Sequence, residues 1–251
     1  MIRGLVLAAG RGTRLGPLTA DRPKCLVPLA GRALLDWQLA ALAAAGVGEV
    51  AVVGGYHGDR LRRPGVRLLD NPDWARTTMV ASLAAAARWL EQGPCVVAYG
   101  DVVYHPALIA RLADARADVA LAYDVLWRAL WEARFEHPER DAESLRARDG
   151  YLIEIGRRGR PLDTIEGQFT GLLRLTPVGW RTLARHLAGS APGDARALDV
   201  TALLGRLLPR GARIGAVPIA GRWCEVDHPG DLEVYERRLA AEGTWSHDWR
   251  P

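Results

Sequence analysis

A short apolar run rich in branched residues, Ile2 to Ala8, passes directly into Ala9-Gly10-Arg11-Gly12-Thr13-Arg14, with Pro17 and Pro23 close behind. The run is too short for a helix and has no helical cap, so it reads as a buried strand. The two prolines then forbid a helix where a dinucleotide-binding turn would require one, because each removes a donor and clashes with the preceding turn. The Gly-Lys-Ser/Thr ending of a Walker A loop is also absent. What remains is a strand opening into a glycine-rich loop whose unpaired amides form an anion-binding concavity. Arg11 and Arg14 flank it and Lys24 follows within the same loop. A guanidinium fork and a compact ammonium on a flexible stem both suit phosphate oxygens, so the stretch reads as a polyphosphate site.

Lys24 stands out for a compositional reason: of 33 Lys and Arg residues it is the sole lysine. Arginine carries positive charge everywhere else, and the two are not interchangeable where a point charge must follow a moving phosphoryl group.

A chain of 251 residues can bury one substantial core. No internal repeat or low-complexity linker divides it, so residues 1–251 are read as one domain. A net charge of +4 with dispersed arginines forms no nucleic-acid stripe. No apolar stretch is long enough to span a bilayer, and the N-terminal run is too short for a signal peptide. Cys25, Cys95 and Cys224 share no Cys-x-x-Cys spacing, which favours a reduced, cytoplasmic setting over a disulfide framework. Oligomeric state is not readable.

Strand and helix patterns then alternate. Ala33 to Ala45 is a helix stopped by Gly46. Glu49 to Val53 and Val66 to Leu69 are strands, and Thr77 or Thr78 is placed to cap the helix that follows. Cys95 to Tyr99 is a buried strand ending in Gly100-Asp101. An acid just past a central strand points into the ligand crevice of a parallel sheet, where it can hold a divalent cation; the plainer reading is a turn-forming Asp. A helix from His105-Pro106 to about Ala115 and a strand from Val119 to Tyr123 lead to Asp124-Val-Leu-Trp127-Arg128-Ala-Leu-Trp131-Glu-Ala-Arg134. Trp127 and Trp131 share a helical face, as a packing stripe or as a wall over a substrate with Arg128 or Arg134 available to an anion. Ser144 to Ile155 forms a hairpin turned at Asp149-Gly150. A strand begins near Glu166-Gly167-Gln168. Thr176 and Asp199 cap two helices, with loop from Gly189 to Gly193 between them. Arg213 to Pro218 is a strand, and Asp227 either caps the last helix, Gly230 to Ala241, or serves the crevice.

The string Leu7-Ala8-Ala9-Gly10-Arg11-Gly12-Thr13-Arg14-Leu15, followed by Arg22-Pro23-Lys24-Cys25-Leu26, resembles the signature of the NTP-transferase (nucleotidyltransferase) superfamily. Within it the chain looks most similar to the phosphocholine and phosphonate cytidylyltransferases. The resemblance implies a Rossmann-like three-layer α/β/α sandwich around a mixed, mostly parallel sheet. It implies transfer of CMP from CTP to the phosphate or phosphonate of a small alcohol or amine, with Mg²⁺ as cofactor and release of pyrophosphate.

Carried over by motif, Lys24 and Arg14 are the catalytic cations and Asp101 and Asp227 the metal ligands. Leu7, Ala8, Ala9, Gly10, Arg11, Gly12, Thr13, Gly55, Tyr56, Thr78 and Ser82 are implied nucleotide contacts, together with Arg14, Lys24 and Asp101. Asp124, Trp127, Arg128, Arg134, Glu166 and Gln168 are implied acceptor contacts. Two positions depart from the pattern: Thr78 stands where asparagine is common, and Gly100 where relatives often carry a second acid. The alternatives are a sugar-1-phosphate nucleotidyltransferase using UTP or dTTP, and a non-catalytic nucleotide-binding subunit.

Overall fold

The structure, a computed structural model, describes residues 1–189 and 198–251. The loop expected from Gly189 to Gly193 therefore falls, beyond Gly189, outside the described residues. In chain order the strands are β1 (Arg3–Leu7), β2 (Pro28–Leu29), β3 (Arg32–Ala33), β4 (Val50–Gly54), β5 (Val66–Asp70), β6 (Cys95–Tyr99) and β7 (Val102–Tyr104). They continue as β8 (Val119–Asp124), β9 (Leu145–Arg148), β10 (Tyr151–Ile155), β11 (Gln168–Leu175), β12 (Ile214–Ile219) and β13 (Trp223–Glu225).

Nine of these strands form one sheet in the order β5-β4-β1-β6-β11-β8-β12-β10-β9. β5, β4, β1 and β6 pair in parallel, as do β8 and β12, whereas β11 and β10 run against their neighbours. The sheet is thus mixed and mostly parallel. Alternate residues of β1 feed opposite cores: Val6 and Ala8 pack on one face, Leu5, Leu7 and Ala9 on the other. That period of two, buried on both sides, is why the strand reads as an unbroken apolar run. The helices Leu34–Ala44, Pro106–Ala113, Trp127–Arg134 and Pro229–Ala240 contribute to the first core. Met79–Ala85, Pro177–Ala188 and Val200–Leu207 contribute to the second. This is the Rossmann-like three-layer arrangement.

Two features position the site. β4 lies on one side of β1 and β6 on the other, so the chain changes direction at β1, and the crevice of such a sheet opens past the strand ends at that point. The ends of β1 and β6 carry the glycine-arginine loop and Gly100-Asp101 respectively. The second feature is a short ribbon outside the main sheet, β7 antiparallel to β13, with Val102 opposite Glu225. The ribbon continues in the bond from Val226 N–H to the Asp101 carbonyl, at 2.9 Å. It draws the segment Val226-Asp227 alongside Asp101, although the two acids are far apart in the chain.

Several local expectations are corrected. Thr78 precedes the helix Met79–Ala85, but its side chain does not cap it: Oγ1 donates to the Leu198 carbonyl at 2.6 Å. Thr77 Oγ1 donates to the Asp73 carbonyl at 2.9 Å. Asp227 caps nothing either, because His228 occupies the N-cap of the last helix and shares a capping box with Asp231. Thr176 and Asp199 do cap their helices. All three cysteines are buried and free. Among the described residues no helix is long and apolar enough to cross a membrane.

Candidate active site

The loop after β1 turns at Gly12, whose φ of 75° lies in the left-handed region. A Cβ there would sit 2.6 Å from the Cβ of Lys24, so the missing side chain lets the lysine stem cross the loop. Lys24 opens the short 3-10 turn Lys24–Leu26, which Pro23 starts in an extended conformation. Its ammonium reaches inward and donates to Asp101 Oδ2 at 2.8 Å and to Asp227 Oδ1 at 2.6 Å. Arg14 Nη2 donates to the same Asp227 Oδ1 at 2.7 Å from the solvent side. The lysine side chain is 12% exposed and the two acids 16% and 14%. In this partly dehydrated setting the charges act on one another far more strongly than in water.

The electrostatic consequences follow directly. Burial works against the Lys24 ammonium, but the charges of Asp101 and Asp227 outweigh it and raise its pKa. Burial likewise opposes ionisation of Asp227, and Lys24, then Arg14 and Arg134, overcome it and hold its carboxyl below the ordinary range. The cluster is two acids bridged by one lysine. One oxygen is left over: Asp101 Oδ1 is buried without a hydrogen-bond partner.

Gly100 explains a departure noted in the sequence. A Cβ there would lie 2.8 Å from the Leu7 carbonyl oxygen and 3.0 Å from the Ala8 Cα, so the end of β1 leaves no room for a second acid at this position.

Two cavities meet at this cluster. One, of about 370 Å³, is lined by Leu7, Ala8, Ala9, Gly10, Gly12, Arg14, Lys24, Thr78, Ser82 and Asp101 among others, with Trp74, Met79 and Asp199 added to the residues expected from sequence. Ser82 accepts from Asn71 Nδ2 at 3.0 Å. Gly55 and Tyr56 are not in that lining. They stand behind Trp74, with the Tyr56 ring 5.3 Å from the indole and its hydroxyl donating to the Ala20 carbonyl at 2.6 Å. Arg11 is exposed, with its guanidinium carbon 5.3 Å from the Tyr56 ring, and Thr13 is exposed at the start of the 3-10 segment Thr13–Thr19.

The second cavity, of about 300 Å³, shares Arg14, Met79, Asp101 and Asp199 with the first and reaches Trp131, Glu143 and Gln168.

Most of the residues expected to contact an acceptor are elsewhere. Asp124 is fully buried, accepting from Gly221 N–H at 2.8 Å and lying 2.9 Å from His247 Nε2, so it ties the C-terminal segment to the sheet. Trp127 packs in the core. Arg128 is exposed and pairs with Glu132 one helical turn on. Glu166 accepts from Ala147 N–H at 2.9 Å, near Arg146, away from both cavities. Gln168 reaches the second cavity, but its amide is committed to the backbone of Glu143, at 2.5 Å and 3.2 Å.

Arg134 has a different job. Its side chain is 0% exposed and bonds Glu225 at 2.6 Å and both Asp231 oxygens at 3.1 Å and 3.2 Å. Asp231 Oδ2 in turn accepts the backbone N–H of Asp227 at 2.7 Å and of His228 at 2.9 Å. Arg134 thus fixes the segment that presents Asp227. Burial pushes the Glu225 carboxyl up, Arg134 pulls it back, and the charges of Asp227 and Asp101 push it further, to about 7. Arg134→Met is expected to cost about 3–5 kcal/mol of stability, because it strands buried carboxylates without their partner. Denaturant unfolding checks this, and a loss below about 1 kcal/mol would contradict the role.

A crevice at the strand switch, a glycine-arginine loop and a lysine between two acids define a nucleotidyltransferase. The chain belongs to the family of the MobA-like NTP transferase domain, which matches residues 4–139. It is 33% identical over 252 residues to the CTP:phosphoglutamine cytidylyltransferase of Campylobacter jejuni, covering 93% of this chain and 98% of that protein. It is 39% identical over 269 residues to the CMP-5'-(3-aminopropyl)phosphonate synthase of Streptomyces rubellomurinus, covering 95% of this chain but only 39% of that longer protein. The CTP:phosphocholine cytidylyltransferase of Streptococcus pneumoniae has the same fold, with a TM-score of 0.71 over 95% of this chain and 99% of that one at 18% identity.

Proposed function

We propose that this enzyme transfers CMP from CTP to the phosphate or phosphonate group of a small alcohol or amine compound. The observation that carries the reading is the convergence of Lys24, Asp101 and Asp227 where two cavities meet, one below the glycine-arginine loop and one beyond the acids. A triphosphate in the first and an acceptor in the second would bring two anions together. The protein's task is then positioning and charge neutralisation. The names of two relatives that align over nearly all of this chain, at 33% and 39% identity, support CTP as the donor.

In the proposed step an acceptor oxygen attacks the α-phosphorus of CTP. A new P–O bond forms as the bond to the β-phosphate oxygen breaks, and pyrophosphate departs with that electron pair. Lys24 stabilises the charge gathering on the α-phosphate oxygens. Arg14 and the amides of Gly10 to Thr13 hold the leaving pyrophosphate. No covalent intermediate on the protein is required.

The donor set suits magnesium. Two carboxylates with an unpartnered oxygen on Asp101 fit a hard ion that completes its octahedron with phosphate oxygens and water. Among the described residues no group of three or more His, Cys, Asp or Glu is placed to hold a metal ion. Bound there, Mg²⁺ would neutralise phosphate charge and act as a Lewis acid toward the reacting phosphorus.

Pyrophosphate release from each of the four NTPs, against a panel of phosphates and phosphonates with Mg²⁺, tests the reading. CTP with a small phosphate or phosphonate is expected to give the highest kcat/KM. Preference for glucose-1-phosphate with UTP or dTTP would replace this reading with the sugar-activating one. Nucleotide binding without turnover of any acceptor would make the chain a non-catalytic binding subunit.

A further inference from the structure

The segment that follows the last helix carries no motif, yet it is built into the fold. Along Trp245-Ser-His-Asp-Trp-Arg250 the residues alternate: His247 and Trp249 are buried, Ser246 and Arg250 face solvent. Trp249 meets Trp37 edge-on with ring centroids 6.1 Å apart, and Trp245 lies 5.7 Å from the ring of Tyr235. A segment outside helix and sheet must still find partners for its buried polar groups. Here those partners stand at the turn that opens β13.

The Ser246 carbonyl accepts the Arg222 N–H at 2.7 Å. His247 Nε2 lies 2.9 Å from Asp124 Oδ2, and the other oxygen of that carboxylate accepts the Gly221 N–H at 2.8 Å. Ser246 Oγ lies 3.0 Å from the second ring nitrogen, so the imidazole is oriented from both sides. The turn depends on this support. Gly221 and Arg222 both have positive φ, 67° and 59°, a region an arginine occupies only where its surroundings impose it. Gly221 also leaves the space the segment fills, because a Cβ there would collide with the Ser246 carbonyl oxygen.

What starts at that turn ends at the acids. The Arg222 carbonyl accepts the N–H of His105, the residue after β7, at 2.9 Å. From there β13 pairs with β7 as far as Glu225 opposite Val102, and the Val226 bond to the Asp101 carbonyl closes the ribbon. Trp245 supports the other end of β13 through Tyr235, whose hydroxyl donates to the Glu225 carbonyl at 2.6 Å. A two-stranded ribbon this short is not stable by itself. Its position matters, since displacing a catalytic group by about 1 Å can cost on the order of 10²-fold in rate.

We infer that His247 is a positioning residue for the reaction: locked to Asp124, it holds the segment Trp245 to Arg250 against the Gly221-Arg222 turn and so sets the spacing of Asp101 and Asp227. This rests on the transferase reading above. His247 lines neither cavity, so its effect reaches the chemistry only through the ribbon.

Hydrogen exchange on the wild-type protein is the first test, and it needs no variant to fold. The amides of Arg222 and Val226 are expected to show protection within about threefold of each other, because the ribbon opens only when the segment lets go. Val226 exchanging more than about tenfold faster than Arg222 overturns the inference. Kinetics with CTP and the best acceptor are the second. His247→Leu is expected to lower kcat about tenfold or more, and His247→Gln, which offers Asp124 an amide N–H in place of Nε2, to stay within about threefold of wild type. Equal losses in the two variants, or none in His247→Leu, overturn it. In an Asp227→Asn background His247→Leu is expected to cost less than about threefold further, since both changes act at one carboxylate; a fully additive loss would make His247 a structural residue alone. If no acceptor is turned over, the transferase reading falls, while the exchange comparison still decides whether the segment holds the ribbon.

Discussion

Lys24→Ala is expected to lower kcat about 10²–10³-fold with the best CTP and acceptor pair, the loss typical when one donor to developing charge is removed. Its ammonium sits 2.8 Å from Asp101 and 2.6 Å from Asp227, so the substitution also leaves two nearby carboxylates facing each other. The variant should therefore melt earlier without ligand, since breaking a buried pair costs more than the pair contributes. It should recover more stability than wild type when Mg²⁺ is added, because the ammonium that competes with the cation has gone. Lys24→Arg is not expected to rescue turnover: the lysine stem lies against Gly12, and a planar guanidinium fork does not reproduce the compact ammonium held between the two acids. Steady-state kinetics and melting with and without Mg²⁺ check both halves. A drop of less than about tenfold would remove Lys24 from the chemistry.

Asp227→Asn is the second large effect. Asp227 Oδ1 accepts from both Lys24 and Arg14, so its charge holds two cations at the mouth of the first cavity. Loss of that charge is expected to cost about 10²–10³-fold in kcat/KM and to raise the Mg²⁺ concentration needed for half-maximal rate. The pH dependence has a definite sign. The carboxyl is held below its ordinary 3.8, so the folded state binds its proton more weakly than the unfolded chain. Its contribution to stability is complete above that value and disappears as pH falls through the folded pKa. Asp227→Asn should remove that part of the acid limb, leaving a flatter stability profile below about pH 4. An unchanged acid limb would contradict the pairing.

The parts of the fold set by local chemistry were legible before the coordinates. β6 runs over Cys95–Tyr99 as read, and the hairpin turn has both Asp149 and Gly150 at positive φ, 52° and 77°, as an Asp-Gly turn requires. The loop residues around Lys24 were legible because glycine, proline and a solitary lysine each restrict the backbone or the charge in a recognisable way. The β7–β13 ribbon was not, since three-residue strands carry too little periodicity and this pair is joined across the length of the chain.

The second cavity was the least legible. Asp124 and Arg134 were expected to contact an acceptor, yet they are paired inside the protein with groups from distant elements. Glu143 and Arg158, which do line the cavity, lie in segments with no motif. A charged residue's letter does not say which partner it will find. That is decided by tertiary packing, which no short pattern encodes.

The central claim is that the Lys24 bridge between two acids opens to admit a cation and a triphosphate. A crystal structure with a non-hydrolysable CTP analogue and Mn²⁺, located by its anomalous signal, tests it most directly. The account predicts the ion between Asp101 and Asp227, with the Lys24 ammonium moved onto the α-phosphate. A bound triphosphate with Lys24 still bridging the two acids, and the ion elsewhere, would contradict it.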